Sequence, residues 1–327
     1  MLGDTTAQLE IASADASFRR YFRVHVRDRT LILMDAPPEQ EDIGAWLEIG
    51  ALMHAAGLNV PEVLAADMAD GLVLMGDLGS SHYLDVLHPD NADNLYGDAM
   101  EALARMQTGL HTDTLAPYDE SFLIGEMELM PHWFLGRHLG LATDRMQWDV
   151  LEVAFRRLAA SALEQPRVFV HRDFHSRNLL VTARNNPGII DFQGALAGPV
   201  TYDLASLLRD CYIAWDRDQV EHWVESYRQG LRQSGLLDAE VDATRFRFWF
   251  DRIGLQRHIK VLGIFCRLHY RDDKDGYLRY LPRVLDYVYQ VTARDPELTA
   301  LGELLRRAVG ERDLSQPAAP SMDDGRS

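Results

Sequence analysis

Residues 171–178 read His-Arg-Asp-Phe-His-Ser-Arg-Asn, and this stretch decides the fold. An apolar run at 168–170 precedes it, and a second apolar run begins at Leu179. A third apolar run, 188–190, follows the turn residues Arg-Asn-Asn-Pro of 184–187 and ends at Asp191-Phe192-Gln193. The pattern predicts a strand, a polar loop and then a two-stranded hairpin.

Three oxygen-bearing side chains stand at the ends of these elements. Phosphoryl transfer to an alcohol needs a carboxylate near the attacking hydroxyl and oxygen ligands that hold magnesium on the nucleotide phosphates. A loop followed by a hairpin can supply Asp173 from the loop, Asn178 before one strand and Asp191 after the next. Any one of them alone would indicate only backbone capping, so the ordered set is the evidence.

A family resemblance follows from these motifs. His171-x-Asp173-x-His175-x-x-Asn178, then Asp191, then Gly198-Pro199 and Asp203-Leu204-Ala205, resembles the signature of the aminoglycoside phosphotransferase and choline kinase-like family. The resemblance implies an α+β, bilobal protein-kinase-like fold and an enzyme that uses ATP and Mg²⁺. It implies a catalytic role for Asp173 as base with His175 beside it, metal binding by Asn178 and Asp191, and structural support of the loop by His171 and Asp203.

The first third of the chain predicts the small antiparallel sheet of such an N-lobe. Phe22, Val24 and Val26 alternate with polar residues, as in a half-buried strand, and 31–34 is continuously apolar. Further strands are predicted near 9–11, 63–66 and 72–75, with one helix after Pro37-Pro38. We therefore predict an N-lobe over 1–79 with a hinge near 75–79, a mainly helical C-lobe over 80–310 that resumes with a helix from Thr201 to Trp215, and a disordered tail over 311–327.

The predicted N-lobe departs from the kinase pattern because it has no lysine. Kinases usually place a lysine on the third strand, paired with a helix glutamate, but the chain's two lysines are Lys260 and Lys274. Met34 or a neighbour takes the lysine's place, while Glu41 and Glu48 remain on the predicted helix. The loop 13–17 also lacks glycine, so nearby serines or Arg19, Arg20 and Arg23 are substitutes. The nucleotide-binding residues that we predict are Ser17, Arg19, Arg23, Met75 and Asp77.

The acceptor is suggested by three further blocks. Residues 18–24, residues 34–39 and Asp210-Cys211-Tyr212 resemble a bacterial branch of the family that phosphorylates N-acetylated amino sugars. The resemblance implies transfer to the anomeric C1 hydroxyl of N-acetylmuramate or N-acetylglucosamine, in peptidoglycan recycling. Two alternatives stay open: a kinase of another small alcohol, such as an aminoglycoside, choline or an amino alcohol, and a catalytically silent nucleotide-binding pseudokinase or scaffold.

Residues that bind the acceptor are expected in the helical part of the chain. An aromatic ring suits the apolar face of a sugar, and an arginine suits the lactyl carboxylate of N-acetylmuramate. We predict substrate binding by His132, Trp133, Asp210 and Arg267. Arg257 and His258 are further candidates, on the same predicted helix as Arg267.

The charge and composition of the chain limit the kinds of partner that it is expected to bind. The net charge is −17 and the pI is near 5.1, which argues against binding to nucleic acid or an anionic membrane. Cys211 and Cys266 lie in apolar patterns and predict buried thiols in a reducing compartment. The first thirty residues carry charges throughout and lack the apolar core of a signal peptide. The sequence thus predicts a cytoplasmic protein that acts on a small sugar and ATP, with no obligate protein partner indicated.

Overall fold

Alternating apolar residues build a five-stranded antiparallel sheet at the start of the chain. A computed structural model describes residues 8–14, 18–27 and 29–317. The predicted strands are confirmed, with the bounds β1 Gln8–Ala14, β2 Arg20–Val26, β3 Arg29–Asp35, β4 Val63–Asp67 and β5 Leu72–Gly76. They lie in the order β1-β2-β3-β5-β4, and Tyr21 of β2 pairs with Met34 of β3. Val24, Leu31 and Leu74 form a small apolar cluster on the sheet.

The predicted helix after the third strand is α1, Ile43–Ala55. The Asp42 carboxylate accepts the backbone N–H of Gly44 at 2.8 Å and so caps the first turn. Trp46, Ile49 and Met53 are buried along one face. Glu41 was expected on this helix, but Asp42 is the N-cap and Glu41 precedes it, because the Asp42 side chain satisfies a free N–H of the first turn. Glu48 lies on the helix and is exposed.

Helices dominate the rest of the chain, as predicted. A nine-residue π-helix, Met130–His138, and a short 3₁₀ helix, Leu278–Tyr280, interrupt the α-helical series. The α-helices are α2 Tyr83–Val86, α3 Ala92–Gly109, α4 Glu120–Met127, α5 Arg145–Leu163, α6 Tyr202–Leu208, α7 Arg217–Gln233, α8 Ala243–Tyr270, α9 Leu281–Thr292 and α10 Thr299–Val309. The remaining strands are β6 Arg167–Val170, which pairs with β9 Leu196–Pro199, and β7 Leu179–Leu180, which pairs with β8 Gly188–Ile189.

The helix predicted from Thr201 to Trp215 is shorter than expected. It ends at Leu208, and a loop runs to α7. The Asp210 carboxylate accepts the backbone N–H of Tyr212 at 2.8 Å. A side chain that bonds to the backbone two residues ahead competes with the helical hydrogen bond, which explains the early end.

The chain divides into two units at places that differ from the predicted boundary at residue 79. The first unit combines the described residues up to Thr114 with His171–Leu196, and the second combines Leu115–Val170 with the described residues from Ala197. The stretch 171–178 therefore groups with the sheet. Hydrogen bonds explain this grouping: the Ile189 N–H donates to the Asn59 carbonyl at 2.8 Å, and the Val181 N–H to that of Ser81 at 2.8 Å.

One large apolar cluster fills the second unit. It is built mainly from α5, α8, α9, α10 and the π-helix, and it includes Cys211 and Cys266, whose side chains are buried as predicted. Leu314 is also buried here, and its carbonyl lies 3.1 Å from His138 Nε2. Order thus extends into the predicted tail, whose residues 318–327 lie outside the described ranges. Over the described ranges, no helix combines the length and apolarity needed to cross a membrane.

Candidate active site

The loop at 171–178 is folded around the carbonyl oxygen of Asp173. This oxygen accepts the His175 N–H at 3.0 Å and the side-chain amide Nδ2 of Asn178 at 2.9 Å, while the Asn178 N–H donates to the His175 carbonyl at 2.9 Å. Arg172 has a φ of 77°. A non-glycine residue in this region costs free energy and is concentrated at functional sites. The loop is therefore held in one strained form, with Asp173 and His175 half-buried.

A second segment of the same unit fastens this loop from outside. The Leu84 N–H donates to the Ser176 carbonyl at 3.1 Å, and His82 Nδ1 lies 2.6 Å from the Arg177 carbonyl oxygen. Ser176 is fully buried. Since backbone groups accept both bonds, the segment 81–84 fixes the loop without depending on the side chains that face the chemistry.

The hairpin of β7 and β8 brings the two predicted metal ligands together. Leu179 pairs with Ile189, so the Ile190 N–H reaches the Asn178 carbonyl at 3.1 Å. Asn178 Nδ2 then donates to Asp191 Oδ2 at 3.3 Å. Asp191 has a φ of 65°, a second non-glycine residue in the left-handed region. The predicted adjacency of Asn178 and Asp191 is thus present.

Further donors surround the carboxylate of Asp191. Gln193 Nε2 donates to Oδ1 at 2.7 Å, and a guanidinium nitrogen of Arg19 lies 3.4 Å from the same oxygen. These donors hold the Asp191 carboxylate in one orientation, with 32% of its side chain exposed.

His171 supports the loop as a neutral imidazole. Its side chain is fully buried, and Nδ1 accepts the backbone N–H of Asp173 at 3.3 Å. Burial lowers its pKa to about 4, against smaller opposing contributions that include the charge of Asp173. A neutral ring with Nδ1 as acceptor can position Asp173 without competing with it for a proton.

Phe192 packs helix α1 against the segment that contains Asp191. Its ring is fully buried and lies 5.1 Å, centroid to centroid, from the ring of Trp46. A methyl group added to Gly50 would stand 3.2 Å from the Phe192 ring. The helix therefore packs directly against the residue next to Asp191, and a side chain larger than glycine at position 50 would make the Phe192 ring shift by a few tenths of an ångström.

The donor chemistry of the cluster fits magnesium. Magnesium prefers oxygen ligands and usually keeps only one or two from protein, taking the others from water and phosphate. Asn178 Nδ2 donates to the Asp173 carbonyl and to the Asp191 carboxylate. The amide oxygen Oδ1 of Asn178 is therefore left to bind a metal next to the Asp191 carboxylate. Within the described residues no group of three His, Cys, Asp or Glu side chains is placed to hold a metal ion.

The nucleotide-binding candidates fall into different environments. Arg23 forms a two-point contact with Asp77, Nε to Oδ2 at 2.6 Å and a terminal nitrogen to Oδ1 at 3.2 Å. Burial opposes the charge on Asp77, but Arg23 and the Gly79 N–H outweigh it and keep the pKa of Asp77 below its usual value. This pair pins β2 to the segment after β5. Met75 is buried on β5, and Ser17 lies outside the described residues.

The predicted acceptor residues lie in the second unit, on three elements. His132 is exposed on the π-helix, whereas Trp133 is half-buried against the large apolar cluster. Asp210 is buried. Arg267 lies on α8, and its Nε is buried without a hydrogen-bond partner among the described residues. Whether these side chains bind a sugar stays a prediction.

The structure also places Asp203 and the two further acceptor candidates in the second unit. Asp203 is fully buried in the first turn of α6. The pKa of Tyr227 is raised by burial and also by the charge of Asp203. Arg257 and His258 are both buried on α8, and the ring of His258 stacks on Tyr287 at 4.7 Å.

Several supporting residues had no predicted role. Gln193 directly follows the Asp-Phe pair, and its position in the motif was a signal that could have identified it. Trp46 was predicted only as part of an apolar stripe, and the segment 81–84 carries no motif. The contacts of Trp46 and of the segment 81–84 with the site join distant parts of the chain, and the periodicity of the sequence does not reveal such contacts.

Comparisons with known proteins show which sequences this chain is similar to. The model of the phosphotransferase enzyme family matches residues 8–245. The N-acetylmuramate/N-acetylglucosamine kinase of Pseudomonas aeruginosa is 44% identical over 299 residues, covering 91% of this chain and 88% of that protein. The protein of the same name from Neisseria meningitidis serogroup B is 39% identical over 311 residues, covering 94% and 92%.

A solved structure supports the fold. The crystal structure of a choline/ethanolamine kinase family protein from Mesorhizobium loti superposes with a TM-score of 0.60 and 16% identity, covering 93% of this chain and 94% of that one. At this identity the likeness concerns the fold alone. It confirms the predicted kinase-like fold, with an antiparallel sheet followed by a mainly helical part.

Proposed function

Because this chain belongs to the phosphotransferase enzyme family, we propose that it transfers the γ-phosphoryl group of ATP, with magnesium, to the anomeric C1 hydroxyl of N-acetylmuramate or N-acetylglucosamine. The observation that carries the proposal is the cluster in which the Asn178 amide bonds to both the Asp173 carbonyl and the Asp191 carboxylate. The product would be a sugar 1-phosphate made in the cytoplasm.

Asp173 would act as the base. The strained turn at Arg172 and the bond from the Asp173 N–H to the neutral His171 fix the backbone that presents this carboxylate. A hemiacetal hydroxyl is more acidic than an ordinary alcohol, so a carboxylate of ordinary basicity suffices to accept its proton. Positioning and charge neutralisation would then supply most of the rate acceleration. His175, half-buried in the same loop, would pack beside the base.

Asn178 and Asp191 would hold the metal. Bound magnesium would neutralise the phosphate charge and orient the transferred group. The donors from Gln193 and Asn178 keep the Asp191 carboxylate in a fixed orientation. Phe192, packed on Trp46, would transmit the position of helix α1 to this carboxylate.

Amino sugars are proposed as acceptors because relatives at 39–44% identity carry those substrates in their names. Of the candidates for the lactyl carboxylate, Arg267 has the environment that suits an anion. Burial, together with the nearby charge of Arg271, lowers the pKa of Arg267, and its Nε lacks a hydrogen-bond partner among the described residues. An acidic ligand would supply that partner.

A substrate panel tests the proposal. Purified protein with magnesium and ATP would be offered N-acetylmuramate, N-acetylglucosamine, an aminoglycoside, choline and ethanolamine, with ADP release as the signal. We expect turnover with the two amino sugars and none in the Asp173→Asn variant. Turnover only with the aminoglycoside or the amino alcohols would reassign the acceptor, and no turnover with any of them would favour a silent nucleotide-binding scaffold.

A further inference from the structure

The first unit contains no lysine that could bind phosphate. Both lysines of the chain, Lys260 and Lys274, belong to the second unit. On β3 the position expected for a lysine is taken by Met34, which is fully buried in the sheet. Because kinases need a fixed cation near the α- and β-phosphates, another side chain of this unit must supply that charge.

Arg19 has a location that none of the other arginine candidates shares. It directly precedes β2, and its side chain is 8% exposed. One terminal nitrogen lies 3.4 Å from Asp191 Oδ1, and Nε lies 3.9 Å from Glu41 Oε2. Glu41 itself precedes the capping residue of α1. A single guanidinium, from the residue that precedes β2, thus lies near both the start of the helix and the carboxylate proposed to bind the metal.

The two other arginine candidates are engaged differently. Arg23 is locked in short contacts with Asp77, a side chain that is only 5% exposed, and so serves the sheet. Arg20 pairs with Asp35, and its side chain is 66% exposed. Of the three, Arg19 is the one whose guanidinium borders both Asp191, at 3.4 Å, and Glu41, at 3.9 Å.

We propose that Arg19 is the cation that binds the nucleotide phosphates in place of the absent lysine, positioned by Glu41 and Asp191. A guanidinium is always charged, and its planar fork of five N–H donors matches the geometry of phosphate oxygens. The assignment rests on the proposed function, since it presumes that ATP is the phosphoryl donor. The lysine–glutamate pair of other kinases would here be an arginine–glutamate pair, with the cation supplied by the residue that directly precedes β2.

A purely structural role makes a different prediction. If Arg19 only neutralised Asp191, its removal would affect the metal but not the affinity for a nucleotide without metal. If Arg19 binds phosphate, its removal weakens ADP binding even in EDTA. Adenosine, which has no phosphate, would bind equally well with and without the arginine.

Calorimetric titration of the full-length protein with ADP in EDTA, and with adenosine, distinguishes these roles. We expect Arg19→Gln to weaken ADP binding by roughly 10- to 100-fold, the range for charged hydrogen bonds of about 1.5–3 kcal/mol, and to leave adenosine binding unchanged. Arg19→Lys should recover part of the loss. Arg20→Gln, an exposed neighbour, should bind ADP as the wild type does.

Two results would overturn the assignment. One is wild-type ADP affinity in Arg19→Gln, and the other is an equal loss for ADP and adenosine. Should Arg19→Gln not fold, Glu41→Gln provides the test: it should weaken ADP binding severalfold without affecting adenosine, and unchanged ADP binding would count against the assignment. A wild-type protein that binds no ADP at all would instead refute the proposed function itself.

Discussion

The side chains of Asn178 and Asp191 lie in hydrogen-bond contact, Nδ2 to Oδ2 at 3.3 Å, across 13 positions of sequence. The short pairing of β7 with β8 creates this contact, because it sets the residue before one strand beside the residue after the other. The Asn178 amide also bonds to the Asp173 carbonyl at 2.9 Å. One side chain thus links the proposed base and the proposed metal ligand.

Replacing Asp191 with asparagine should weaken magnesium binding. The substitution removes the charge that the metal would contact, and we expect the magnesium midpoint of the reaction to rise by about tenfold or more, corresponding to about 1.4 kcal/mol or more. Magnesium titrations of initial rate measure this. Asp90→Asn, at a carboxylate that is 97% exposed, is the control. An unchanged midpoint in Asp191→Asn would remove its assignment as a ligand.

Replacing Asp173 with asparagine should lower turnover by about 10²- to 10⁴-fold, the range for loss of a general base. Folding should be kept, because the backbone bonds to His171 and Asn178 do not involve the carboxylate. Rates at saturating substrates and the melting temperature would be measured together. A variant that melts normally and turns over at near wild-type rate would contradict the role of Asp173.

Gly50→Ala should impair activity more than stability. The new methyl group would lie 3.2 Å from the Phe192 ring, which must shift and move the adjoining Asp191. We expect a loss of activity with only a modest change in melting temperature, since a helical alanine also gains about 0.5–1 kcal/mol over glycine. Gly230→Ala on α7 meets no atom within 4 Å and should only stabilise. Equal activity in both variants would argue against coupling through Phe192.

Local pattern explains why much of the site could be predicted. Asp173, Asn178 and Asp191 lie on elements whose ends are marked by apolar runs and a turn, so their adjacency follows from short-range pairing. The contact of Arg19 with Asp191 spans 172 positions, and no periodicity reports such a distance. The end of α6 was missed for another reason: Leu208, Cys211 and Tyr212 keep helical spacing, but the Asp210 side chain diverts the backbone.

Stability should fall as pH falls from 6.5 toward 4. Burial lowers the pKa of His171 to about 4 and that of His258 to about 3. Between these pH values the histidines bind protons in the unfolded chain but stay neutral in the folded protein. As the pH falls, this difference lowers the free energy of unfolding by up to about 3 kcal/mol for His171 alone. Above pH 6.5 the contribution is fully present.

Denaturant unfolding at several pH values measures this loss. His258→Gln should show a shallower decline than the wild type, because it removes one of the three buried imidazoles, His138, His171 and His258, and burial lowers the pKa of each. His132→Gln, at an exposed ring, should reproduce the wild-type profile. If the free energy of unfolding fell with pH in the same way in all three proteins, buried histidines would not be the cause of the loss of stability in acid.

Phosphorus NMR of the sugar product tests the central claim most directly. With N-acetylglucosamine or N-acetylmuramate, ATP and magnesium, the account predicts one new resonance from a sugar 1-phosphate, coupled to the anomeric proton and lost after mild acid treatment, and no such resonance with Asp173→Asn. An acid-stable phosphate on a ring hydroxyl, or an unchanged yield from Asp173→Asn, would contradict it.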